Sequence, residues 1–263
     1  MSLFFPLLND TKIYNCSTTV YNFPPNDYEQ IKNKSRFLSL IWLGERGWET
    51  YLIDELEAFE SREIYYDSFK SIIPPNVIVI LSLTTLPLEK NLKSLPVNTV
   101  PESTPIWRST ISVHINNNSA SYQGEIQAFP EKASLLSFST FLQKRKYHKN
   151  FLIFINLEDS CYQRKSYIKL AKANRPKNII GEFIVKTNCC NIVELDKFNL
   201  EKNDIAIFYS SEISGIPIFL SYSEKDNSIS LEHTHPPSNL IIHGERKKAQ
   251  KQIKKNWFSL LKK

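Results

Sequence analysis

The sequence predicts an α+β fold that is predominantly antiparallel β, sandwich or barrel-like, with a C-terminal amphipathic basic helix. Three observations carry this. Apolar and polar residues alternate with period two over "WRSTISVHI" and "SASYQGEIQAF". Strand-like runs recur through the second half with connections too short for crossover helices. After Gly244 the apolar spacing changes to three and four residues. An aromatic content of 12%, together with many Ile and Val, leans the same way.

Along the chain, residues 1–85 read as an N-terminal mixed α/β region, with a helix expected around 48–60 where acids mix with apolar residues. Residues 86–105 hold Pro87, Pro96, Pro101 and Pro105, a spacing that forbids a long helix or a central strand and marks a connection. Residues 106–263 read as a β-rich domain ending in a helix over 245–261. Its first hairpin turns Trp107, Ile111, Val113 and Ile115 one way and Thr110, Ser112 and His114 the other. Asn116 to Asn118 supply the left-handed backbone that a hairpin turn requires. Pairing the two arms puts Arg108, His114, Gln123 and Glu125 on a shared polar side. Further strands are expected at "NFLIFINL", "NIIGEFIVKT", "DIAIFYSS", "IPIFLSY" and "SISLEHTH", with Pro217 marking an edge or a bulge. No internal repeat appears.

The stretch "SLEHTHPPSNLIIHGERKK" holds three of the five histidines. By strand parity His233 and His235 continue the apolar face of Ile229 and Leu231, and Pro236 and Pro237 then end the pairing. Two imidazoles spaced so can converge on one divalent metal ion or move protons near neutral pH. His233 and His235 are therefore the candidate acid–base groups or metal ligands, with Glu125 as a candidate general base. Glu232, His243 and Arg246 would complete a small-molecule or anion pocket where the last helix begins, and Arg108, His114 and Gln123 are the other candidate ligand contacts. Cupins place a glycine before their strand H-x-H and a glutamate soon after it. The deubiquitinase-type zinc proteases follow H-x-H-P with a serine and an aspartate, where this chain has Gly244 and Lys247. The chain has neither surrounding pattern.

The formal charge of +6 is unevenly spread. Residues 245–263 carry eight of the 33 basic side chains and only Glu245 of the 27 acidic ones. Ala249, Ile253, Trp257, Leu260 and Leu261 form a single apolar stripe there. A second function class follows: a non-catalytic interaction protein whose basic helix contacts an acidic protein, a nucleic acid or a membrane surface. P-loop, G-x-G-x-x-G and G-x-S-x-G motifs are absent, which excludes the nucleotide and hydrolase classes that depend on them. The four cysteines form no C-x-x-C pair, and "VIVILSL" is too short to span a bilayer. "MSLFFPLLND" lacks the basic start of a signal peptide, so the chain reads as cytoplasmic, without a transmembrane segment.

Overall fold

Period-two alternation and asparagine-led turns carry this chain into strands almost throughout. A computed structural model describes residues 3–23, 35–97, 109–129, 136–141, 146–201 and 204–233, together with Gln252, Lys255, Asn256 and Ser259; of 136–139, 141 and 233 it describes the backbone alone. Two compact units divide the chain: residues 1–128 with 157–162 and 188–190, and residues 129–156 with 163–187 and 191–263.

The first unit opens with β1 (Phe5–Leu7), β2 (Asn15–Tyr21), β3 (Arg36–Gly44), β4 (Gly47–Leu56) and β5 (Ser61–Tyr65). A 3-10 turn at Tyr66–Phe69 leads to β6 (Val79–Thr84), β7 (Asn91–Leu92), β8 (Ser109–Ile115) and β9 (Asn118–Gln123). One sheet has the order β1-β6-β3-β4-β7 and the other β5-β2-β8-β9. The β3–β4 turn depends on Gly47, whose φ of 130° suits only glycine and whose added Cβ would lie 2.7 Å from the Leu92 carbonyl oxygen. Elsewhere this glycine-poor chain takes left-handed turns with Asn76, Asn116, Asn188 and Asn227.

The second unit contains β10 (Leu136–Phe141), β11 (His148–Asn156), β12 (Lys165–Lys172), β13 (Arg175–Lys186), β14 (Cys189–Glu194), β15 (Ile205–Ser210), β16 (Ile216–Ser223) and β17 (Ile229–His233). Cys189 and Cys190 of β14 fall in the first unit. Its sheets run β10-β15-β12-β13 and β14-β11-β16-β17. Leu152, Phe154 and Phe219 from one sheet pack on Ile168, Leu170, Phe183 and Phe208 from the other, so the unit is a two-layered sandwich. The Phe208 ring centroid lies 5.5 Å from that of Phe219 and 6.3 Å from that of Phe183. At this burial a Phe208→Ala change costs about 3–5 kcal/mol.

Strand order is duplicated between the units. With the short β7 set aside, each unit joins its first, sixth, third and fourth strands in one sheet and its fifth, second, seventh and eighth in the other. Registers follow suit: Leu81 pairs with Phe5 and Leu40 in the first unit, as Phe208 pairs with Phe138 and Leu170 in the second. The sequence carries no repeat, yet the topology occurs twice.

The α+β expectation is corrected. The described residues form an antiparallel β fold, 58% of them in strands and 4% helical, with no helix of seven or more residues among them. The helix expected around 48–60 is β4, paired along its length with β3; sheet pairing outweighs the helix-like mixing of acids and apolar residues. The amphipathic helix expected over 245–261 is likewise not part of the described fold. Gln252, Lys255, Asn256 and Ser259 have helical backbone and are exposed, while the apolar stripe lies outside the described residues. The β8–β9 hairpin and the strands expected around 150–157, 178–187, 204–211 and 216–222 are present. Pro217 sits in β16 one position beyond the last β16–β17 pair, Ile218 with His233, where a missing N–H costs that ladder nothing. Among the described residues no helix is long and apolar enough to cross a membrane.

Candidate functional site

Four strands of the first unit build one polar sheet face. In β2 the side chains of Cys16, Thr18 and Val20 turn inward, and Thr18 Oγ1 donates to the Pro6 carbonyl oxygen at 2.7 Å. Parity therefore turns Asn15, Ser17, Thr19 and Tyr21 outward. Antiparallel pairing adds Glu63 and Tyr65 from β5, Thr110, Ser112 and His114 from β8, and Ser119, Ser121 and Gln123 from β9. The intervening Ile64, Ile111, Val113 and Ile115 are buried on the other side. A half-buried sheet with hydroxyls, amides, one carboxylate and two phenol rings along its outer rows results.

Ser17 is fully buried beneath its neighbours and links two of them. Its hydroxyl donates to Glu63 Oε1 at 2.7 Å and lies 2.9 Å from His114 Nε2. A hydroxyl has one proton, and Glu63 receives it, so Nε2 of His114 is the donor in the second contact. This network fixes the tautomer with hydrogen on Nε2. Tyr65 also bonds Glu63, which raises its phenol pKa, and its ring lies 5.9 Å from the imidazole at 34°. The chain of donors runs from His114 through Ser17 to Glu63, with Tyr65 converging on the same carboxylate. Nearby, Ser112 and Ser121 share a 2.8 Å hydrogen bond, and the Tyr21 hydroxyl approaches Thr110 Oγ1 at 3.4 Å.

Asp10 borders this face. Burial pushes its carboxyl pKa up, against the Cys16 N–H that it accepts at 2.5 Å. Asp67 raises it further, while Lys70 and His114 lower it. Chemically, the cluster holds an imidazole N–H, a carboxylate and hydroxyls in fixed directions on an open surface. Ser17 Oγ is out of reach of anything arriving from solvent, and its proton is already committed.

Of the residues singled out by sequence, His114 and Gln123 share this face. Glu125 follows the end of β9 and is half-buried, next to Ile126, which bonds Phe4 through both main-chain groups. Glu232 is exposed on β17, where Thr140 Oγ1 donates to its Oε2 at 3.0 Å. His233 ends β17, with its Cα opposite that of Ile218. Arg108, His235, His243 and Arg246 lie outside the described residues. Among the described residues no group of three or more His, Cys, Asp or Glu side chains is arranged to hold a metal; the His233–His235 pair expected to do so falls outside that set.

Sequence reading missed Ser17, Glu63 and Tyr65. The signal was present in "NCSTTVY" and "SREIY", whose alternate positions separate polar from apolar residues. Which strands lie beside β8 is a long-range pairing that alternation does not encode. Compared with known proteins, the chain matches no family model, and no curated protein matches it in sequence.

Proposed function

We infer that this protein is a non-catalytic binding protein built on two antiparallel β units, which holds a neutral, polyhydroxylated ligand of the oligosaccharide type on the outer face of β5-β2-β8-β9. The observation that carries the reading is the unbroken polar parity of that face, with Tyr65 and Tyr21 set among paired hydroxyl, amide and carboxylate groups. Each sugar hydroxyl both donates and accepts, and this surface offers both at fixed positions. The exposed Tyr65 ring adds flat apolar area that stacks on a sugar face. Among the described residues of the face there is no lysine or arginine, which disfavours phosphate or nucleic-acid ligands. The burial of Ser17 argues against nucleophilic catalysis. Free thiols at Cys16, Cys161, Cys189 and Cys190 fit the cytoplasmic placement read from sequence.

The test is calorimetric titration with a panel of neutral oligosaccharides of different linkage. One or more is expected to bind. Tyr65→Ala and Glu63→Gln should each weaken that binding about tenfold, the equivalent of about 1.4 kcal/mol, with melting temperature unchanged. Binding that both variants leave intact, or none at millimolar ligand, would overturn the reading.

A further inference from the structure

Between β4 and β5 the first unit places a bulky side chain where the backbone disfavours one. The Glu60 N–H donates to the Glu57 carbonyl at 3.2 Å and closes a turn with Ala58 and Phe59 at its centre. Phe59 has φ of 67° and Ala58 does not share that left-handed backbone, the pattern of a type II turn, whose third residue is ordinarily glycine or asparagine. For phenylalanine such a backbone is an outlier that costs stability. Elsewhere the chain meets the same demand with asparagine, and Asn188 does so ahead of β14, the fifth strand of the second unit, as Phe59 stands ahead of β5, the fifth of the first. Asn188 is buried and hydrogen-bonded, whereas Phe59 is 68% exposed. Tyr147 also has a left-handed backbone, but Lys146 Nζ lies 4.9 Å over its ring. No ring or cation covers Phe59 among the described residues.

Specific bonds hold this turn in place. The Phe59 N–H donates to the Asn22 carbonyl at 2.8 Å, and the Asn22 N–H donates to the Glu60 carbonyl at 2.9 Å. Two residues thus oppose one, a bulge whose first position is ordinarily glycine and which re-aims a side chain. The buried Asn22 side chain donates to the carbonyls of Leu56 at 3.0 Å and Glu57 at 3.1 Å. Glu60 Oε2 accepts from the Glu57 N–H at 2.9 Å. An exposed ring on a backbone fixed in advance loses little freedom when something binds to it.

Phe59 stands at one end of the candidate face. Ser61, Glu63 and Tyr65 form the outward row of β5, opposite Tyr21, Thr19 and Ser17. Phe59 is the next alternate position beyond Ser61, and its partner Asn22 lies between Tyr21 and Phe23, whose rings stack at 5.6 Å and 2°. At strand spacing, Phe59 and Tyr65 are about 20 Å apart. We propose that Phe59 is an outer stacking residue of this face, and that the ligand is an oligosaccharide long enough to lie on Tyr65 and Phe59 at once, which a disaccharide is not. The proposal rests on the reading of the face given above and adds the ligand's length and its direction along β5. A pyranose turns C–H groups to its ring faces, so a phenyl ring covers it without needing a polar partner. Contact with the sugar offsets the cost of the left-handed backbone in the complex alone.

Calorimetric titration with linear oligosaccharides of increasing length, from a disaccharide upward, tests this on the parent and on Phe59→Asn, Phe59→Tyr and Tyr65→Ala. Affinity of the parent is expected to rise about tenfold once the ligand is long enough to reach Phe59. Phe59→Asn should abolish that rise, Phe59→Tyr should keep it, and Tyr65→Ala should weaken ligands of every length. Because asparagine suits the turn, the melting temperature of Phe59→Asn should equal or exceed the parent's, which separates lost contact from lost fold. A rise with length that survives in Phe59→Asn, while Tyr65→Ala still weakens binding, would overturn the proposal and leave the reading of the face standing. Affinity independent of ligand length, or a lower melting temperature for Phe59→Asn, would also overturn it. Binding of no oligosaccharide at all would overturn both.

Discussion

Ser17 shows how much one buried hydroxyl can organise. It uses its proton on Glu63 and accepts from His114, so two strands on either side of β2 are tied through one side chain. Its identity as serine is legible in the sequence; its role is not, because both partners come from strands far along the chain. Asp10 poses a different problem at the same scale. Burial raises its carboxyl pKa above 3.8 in the folded state. The stability this group contributes is therefore complete below the ordinary carboxyl value and is lost as pH rises through the folded value. At neutral pH the ionised carboxylate is a cost, partly offset by the Cys16 N–H. Asp10→Asn keeps the oxygen that accepts from Cys16 and removes the charge. Thermal melts should place the variant a few degrees above the parent near pH 7, with the difference gone near pH 3. A variant that melts lower at both pH values would show that the charge itself is needed.

At the scale of elements, the turns matter more than the strands. Asn188 links β13 to β14 with φ of 48° and is fully buried. Its Oδ1 accepts from the Glu158 N–H at 2.6 Å, and its Nδ2 donates to the carbonyls of Ser160 at 2.7 Å and Tyr162 at 3.3 Å. Its own carbonyl accepts from Ile78 N–H at 2.9 Å. One asparagine thus fastens residues 157–162 to residues 188–190 within the first unit. Asn188→Ala leaves buried main-chain groups without partners at about 1–3 kcal/mol each and puts alanine, which tolerates left-handed backbone less well than asparagine, into the turn. Urea unfolding should report a loss of about 3–5 kcal/mol, and a loss below about 1 kcal/mol would contradict this account of the turn. Sequence alternation located the β8–β9 hairpin, where the burial of one face dominates, while continuous apolar runs located β11 and β16, which are buried on both faces. It failed at β4, where acids between Trp48 and Leu56 imitate a helix and only pairing with β3 decides the outcome.

At the scale of the molecule, the duplicated strand order is the feature least visible in the sequence. Topology depends on which strands neighbour one another and tolerates any residue that keeps the inward and outward parity. Leu40, Leu81 and Phe5 and their counterparts Leu170, Phe208 and Phe138 share positions without sharing a sequence pattern. The candidate face was half legible: His114 and Gln123 belong to a local hairpin, whereas Ser17, Glu63 and Tyr65 arrive through long-range pairing. The two units also differ in what they display. In the first, the sheet containing β2 and β8 turns serine, threonine and histidine outward; in the second, the matching strands β11 and β16 are apolar on both faces. In the reading proposed above, ligand recognition belongs to the hydroxyl- and amide-rich face of the first unit. Backbone and side-chain NMR of the whole protein, titrated with the tightest oligosaccharide of the panel, tests that most directly. Resonances of Tyr65, His114, Ser119, Ser121 and Gln123 should shift together and saturate with one affinity. Shifts confined to the second unit, or to residues 232–246, would contradict the assignment of the ligand to this face.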